Sequence, residues 1–204
     1  MKSVKDIKNN PMFWYLAVLT ICSTIGLQTW QTLFNNFAVE MAGLDGNHIG
    51  VIQSVREIPG FLALLAVYVI MIIREHRLSA LSILLLGFGL ALTGWLPFYA
   101  GLLFTTLLMS FGFHYYETTN MSLTLQYFDE SASPWVFGKQ RSYAAASSIA
   151  VGLAIYLMAF FLSFAQIYLL IGALVMAAAV WALTRKPSQK DVVPQRKKMV
   201  FRKK

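Results

Sequence analysis

MFWYLAVLTICSTIGLQTWQTLFNN, residues 12–36, is the stretch whose reading decides the fold. It holds no Asp, Glu, Lys, Arg or His. A helix needs about 20 residues to cross a hydrocarbon core of about 30 Å, and this run supplies them. Its flanks differ in charge. Lys2, Lys5 and Lys8 precede it, while Glu40 and Asp45 follow with no Lys or Arg beside them. Working outward, further apolar stretches fall at about 48–73, 78–96, 99–127, 141–163 and 165–184. The segments between them alternate. Arg74 and Arg77 lie in one, no charge lies around Pro97, Lys139 and Arg141 lie in the next, no charge lies around Ser163, and the C-terminus is rich in Lys and Arg. Basic segments stay on the cytoplasmic side. The pattern predicts an all-α integral membrane protein of six spans, both termini cytoplasmic, in a bacterial inner membrane.

Composition agrees with a membrane protein. The chain has 204 residues, is 57% hydrophobic and has a mean hydropathy of +0.59, too apolar for a soluble domain. The net charge of +8 sits at the ends and in the loops, where it sets orientation and meets anionic lipid, so no nucleic-acid partner is expected. The lone cysteine, Cys22, excludes an intrachain disulfide and a cysteine metal site. The first apolar run is longer than a signal-peptide core and lacks a small-x-small cleavage site, so it reads as a retained helix. No lipidation motif fits the termini.

Three parts are expected: a cytoplasmic N-terminus over 1–11, a six-helix domain over 12–184, and a basic cytoplasmic linker over 185–204 that begins at Arg185-Lys186-Pro187. The spans divide into two sets of three. The third of each set, 78–96 and 165–184, is rich in Leu, Gly and Ala, and the first two of each set hold nearly all the polar groups. Two inverted three-helix repeats would give this pattern, with the third helix of each facing lipid.

Charged groups at membrane depth cost about 2.5–3.5 kcal/mol each on insertion scales, so they mark sites. In the second span, Gln53, Arg56 and Glu57 precede Pro59-Gly60. Gln53 and Glu57 share a face, whereas adjacent Arg56 and Glu57 diverge by about 100° and make a poor pair with each other. Pro59-Gly60 weakens the helix and frees carbonyls toward a cavity. This turn reads either as a solute- or proton-handling site or as a structural ion pair with Arg56 reaching outward. In the fourth span, His114, Glu117, Thr118 and Met121 share a face. His114 and Glu117 read as a proton relay, or Glu117 is fixed by Arg56 or another cation for packing alone. In the first span, Gln28, Gln31 and Asn35 form a face that bonds either a polar ligand or neighbouring helices. In the fifth, Ala144, Ser148 and Gly152 form a smooth face for close helix packing.

Nucleophile-elbow, zinc-helix and aspartyl-pair signatures are missing, so no catalytic residue, cofactor or metal site is expected.

Phe137-Gly138-Lys139-Gln140-Arg141-Ser142 is similar to an aromatic-Gly-basic-x-Arg element at the start of span five in the major facilitator superfamily. Arg74-Glu75-His76-Arg77-Leu78 sits where that family has its Gly-x-x-x-Asp-x-x-Gly-Arg-Arg loop; here the glycines and the aspartate are missing. With six spans and a basic tail, the whole chain resembles the N-terminal half of such a transporter. The resemblance implies secondary transport of a small solute by alternating access, commonly proton-coupled, with spans one, two, four and five around the cavity. It makes Gln28, Gln31, Asn35, Gln53 and Arg56 the solute-binding candidates. His114, Glu117 and Glu57 become the proton-coupling candidates, and Arg74, Arg77, Lys139 and Arg141 the gating-loop candidates. The Gly/Pro signature of drug antiporters in span five is missing. The expected partners are the lipid bilayer, the solute, and a second six-helix half or a second copy, because a lone half exposes its polar wall to lipid. The rival reading is a non-transporting assembly, scaffold or sensor subunit.

Overall fold

The computed structural model describes residues 4–187, and all but the first three residues of the linker expected over 185–204 lie outside them. The described residues form helices joined by short turns, with no strand. A short helix α1 (Val4–Asn9) leads into α2 (Pro11–Glu40). Asn10 caps α2 by accepting from the Met12 amide at 2.9 Å, and Pro11 opens the helix, where its missing N–H leaves nothing unpaired. The second apolar stretch is a chain of pieces: α3 (Gly46–Arg56), α4 (Ile58–Phe61), a 3-10 turn over Leu62–Leu65, and α5 (Ala66–Ile72). Then come α6 (Glu75–Thr93), α7 (Tyr99–Tyr127), α8 (Ser133–Met158) and α9 (Phe164–Thr184). A capping box starts α9: Gln166 Oε1 accepts from the Ser163 amide at 2.9 Å, and Ser163 Oγ accepts from the Gln166 amide at 3.4 Å.

Five of these helical stretches are long and apolar enough to cross a membrane: α2, α3–α5 taken together, α6, α8 and α9. α7 is long enough, but Ser110, His114, Glu117, Thr118, Thr119, Asn120, Ser122 and Gln126 keep its hydropathy low. The helices run up and down. At one end, Tyr15 of α2 donates to the His76 carbonyl at the start of α6, and Phe13 meets Trp135 of α8 at 5.7 Å between ring centroids. At the other, Phe37 meets Phe164 and Tyr168 of α9 at 5.7 and 5.3 Å.

Three expectations change. First, α6 is covered mostly by its neighbours rather than left open to lipid, with Leu81 and Phe88 exposed. It is the most buried of the five, with 67% of its apolar core covered, and lies between α7 and α9. Glycines bring these helices together. A Cβ on Gly112 of α7 would stand 2.5 Å from backbone atoms of Leu86 and Ser82, and one on Gly172 of α9 would stand 2.7 Å from the Gly87 carbonyl oxygen. Helices surrounded by lipid gain no hydrophobic drive toward one another, so close van der Waals contact of this kind holds them. Second, the small face of α8 is not used: a Cβ on Gly152 would have no neighbour within 4 Å. Instead α8 seats Val136, Gln140, Ser147, Val151 and Ile155 against its neighbours, chiefly α2. Only 11% of its apolar core is buried, as for α3–α5. Third, α8 begins at Ser133 rather than 141, with Pro134 in its first turn, so Lys139 and Arg141 lie on a helix and not in a loop.

α7 is held by side-chain hydrogen bonds along its length. Tyr116 Oη lies 2.8 Å from Thr20 Oγ1 of α2. Ser79 of α6 donates to Thr119 at 2.7 Å, and Ser122 donates to Glu75 at 2.8 Å. Asn120 Nδ2 donates to Gln140 Oε1 of α8 at 3.0 Å, and Gln140 Nε2 donates to Thr124 at 3.2 Å. These bonds give polar groups of α7 partners on three neighbours, α2, α6 and α8, while Thr106 Oγ1 and Asn120 Oδ1 are buried without one.

Candidate functional site

Pro59 has no amide hydrogen to continue the α3 ladder, and the helix ends at Glu57, which serves as its C-cap. At this break the Arg56 carbonyl accepts from the Ser110 hydroxyl of α7, and the Tyr115 hydroxyl reaches the Leu62 carbonyl at 3.5 Å. The freed carbonyls therefore turn toward α7. Arg56 is the last residue of the eleven-residue α3, about 15 Å along the axis from its first residue at 1.5 Å per residue.

Beside the break lies a cavity of about 170 Å³, lined by Leu27 and Gln31 of α2, Arg56 and Glu57, and Met109, Ser110, Phe113 and His114 of α7. The Arg56 guanidinium lies 5.3 Å from the centroid of the Trp30 ring, a cation–π contact, and Trp30 in turn stacks on Phe34 at 4.2 Å. Arg56 Nε and Nη2 both donate to Glu57 Oε1, at 3.0 and 2.7 Å. The expected divergence of this adjacent pair does not hold, because Glu57 is no longer inside a regular helix. His114 Nε2 lies 3.9 Å from Glu57 Oε2. Gly60 makes room for this: a Cβ there would stand 2.9 Å from the imidazole Cε1.

The structure thus brings together Gln31, Arg56, Glu57 and His114. Glu117 does not line the cavity. It does not pair with Arg56, and the cation acting on it is Arg141 of α8. His114 accordingly faces Glu57 rather than Glu117. Gln28 donates to Thr32 on its own helix at 3.2 Å, and Asn35 is exposed beyond the cavity. Gln53 lies one turn before Glu57, outside the lining. Arg74 is the N-cap of α6 and Arg77 is exposed in its first turn. Lys139 rests 5.6 Å from the Trp135 ring centroid, and Arg141 is exposed.

Ser110, Met109, Phe113, Leu27 and Trp30 are site residues that sequence reasoning missed. For Ser110 a signal existed, since it stands four residues before His114 on the same face of α7. Among the described residues no group of His, Cys, Asp and Glu could hold a metal ion. The arrangement can bind a small polar or charged group and move a proton onto or off His114.

No protein family, curated protein or solved structure matches the chain.

Proposed function

We propose that this chain is the N-terminal half of a secondary transporter of the major facilitator type, moving a small solute by alternating access with proton coupling. In this reading α7 is the sixth span, the helices form two inverted three-helix repeats, and the basic helix ends face the cytoplasm of a bacterial inner membrane. One observation carries the reading. A membrane-spanning stretch is interrupted about 15 Å from its first residue, beside a cavity holding Arg56, Glu57 and His114. With a hydrocarbon core of about 30 Å, that depth is near the midplane, where broken helices of transporters place their sites. Arg56 and Gln31 serve as solute contacts, and proton handling belongs to Glu57 and His114 rather than to Glu117.

The sparsely buried α3–α5 and α8 leave surface for a second six-helix half or a second copy. The test is solute uptake into vesicles, comparing this chain alone with the chain joined to a candidate second half. Uptake only by the joined form, lost in Arg56→Gln and uncoupled from protons in His114→Asn, is expected. Uptake by the isolated monomer overturns the half-transporter reading. No uptake of any solute across a broad panel favours the scaffold reading.

A further inference from the structure

Glu57 lies between two partners and holds only one of them. Its Oε1 takes both Arg56 donors at 3.0 and 2.7 Å, while Oε2 stands 3.9 Å from His114 Nε2, beyond hydrogen-bond length. Arg56 is 22% exposed, rests on the Trp30 ring and faces the cavity. A guanidinium so placed is a carboxylate receptor, and the carboxylate it now holds is the protein's own. We propose that Glu57 is a built-in surrogate ligand on Arg56, and that a proton on His114 draws it away so that Arg56 binds the carboxylate of a small monoanionic solute.

Charge balance supports a monoanion. With His114 neutral, Arg56 and Glu57 cancel. With His114 protonated, one positive charge is left over, and a monocarboxylate cancels it. Both the empty and the loaded site are then neutral, which is the inexpensive condition at membrane depth. An amine would add charge to the protonated site, and a dianion would overshoot it. Leu27, Met109 and Phe113 give the cavity an apolar side, so the solute carries a short hydrocarbon body. The charged groups facing His114 are Arg56 and Glu57. α4 presents Gly60 to its ring, α2 contributes the non-titrating Gln31 and Leu27 to the cavity, and Glu117 on its own helix is engaged electrostatically by Arg141.

The inference rests on the transport reading only in calling the ligand a solute, because binding is measurable on this chain. The experiment uses the full chain in lipid nanodiscs with butyrate as probe and butylamine and butanol as controls. The readout is the tryptophan fluorescence change that disappears in Trp30→Phe. At about pH 5.5, below the ordinary imidazole value, butyrate binds about tenfold or more tighter than at about pH 8, and neither control competes. Arg56→Gln loses binding, and His114→Asn binds weakly at both pH values. Glu57→Gln binds butyrate as well at high pH as the parent does at low pH, a gain that misfolding cannot mimic. Loss of binding in Glu57→Gln, a parent affinity independent of pH, or preference for butylamine overturns the proposal. Binding of butylamine or butanol in place of butyrate leaves the transport reading standing. Butyrate binding with the expected pH pattern but no uptake by the joined form in vesicles removes the transport reading instead.

Discussion

Gly112→Ala separates close helix packing from mere smoothness. The new Cβ would stand 2.5 Å from both the Leu86 amide nitrogen and the Ser82 carbonyl oxygen. Comfortable heavy-atom contact is about 3.5–4.0 Å, so α6 and α7 must separate by about 1 Å. Both obstructing atoms are backbone, and no rotamer change relieves them. Overpacking costs about 1–3 kcal/mol, and backbone clashes belong at the upper end. For a chain of this size each kcal/mol moves Tm by about 2–4 °C, so a fall of about 6–12 °C is expected on the soluble-protein scale. Gly152→Ala is the matched control: it adds the same methyl in another helix interior with nothing within 4 Å. There the alanine favours the helix by up to about 1 kcal/mol, and Tm holds or rises. Gly26→Ala falls between them, since the atom it meets is the movable end of the Leu86 side chain. Thermal unfolding followed by tryptophan fluorescence in one detergent reads all three. A Gly112→Ala protein melting with the parent, or a Gly152→Ala protein losing as much as Gly112→Ala, refutes the reasoning.

Tyr116→Phe removes the 2.8 Å contact with Thr20 and should cost about 1 kcal/mol in the same assay, with no change in ligand binding. Gln140→Leu strips the Asn120 amide of its acceptor and Thr124 of its donor, and should destabilise by about 1–3 kcal/mol. Asp45 caps α3 by accepting from the His48 amide at 3.0 Å, and that bond, with the His48 side chain, holds its carboxyl below the ordinary aspartate value. A lowered carboxyl stabilises above its unfolded value and loses that contribution as pH falls through the folded one. Hydrogen exchange at the first turn of α3 should therefore quicken as pH drops below the ordinary aspartate range, once the intrinsic rate is subtracted. Asp45→Asn, which caps without titrating, should abolish the dependence.

The long helices were legible because apolar runs and their breaks are one-dimensional signals. The stretch 99–127 coincides with α7, and the uncharged turns at Pro97 and Ser163 fall between helices. Pro59-Gly60 announced the break in the second span, although the extent of the 3-10 turn after it depends on what α7 offers the loosened backbone. The start of α8 was hidden because Ser133–Arg141 is helical without being apolar, and hydropathy measures only the second property. The fate of the smooth faces could not be read, since small residues permit approach without specifying a neighbour. For the same reason one helical wheel paired His114 with Glu117, while the facing helix supplied Glu57.

The hydrogen bonds along α7 also bear on how the chain enters a bilayer during synthesis, on the six-span reading proposed above. A helix with so many polar side chains partitions poorly by itself. Thr20, Glu75 and Ser79, however, precede it in the sequence and would already be in place when it emerges from the ribosome. Gln140 arrives afterwards and completes the set from α8. Insertion of α7 is then templated by earlier helices. Substitutions at Thr20, Glu75 or Ser79 would act on yield and topology before they act on the finished protein.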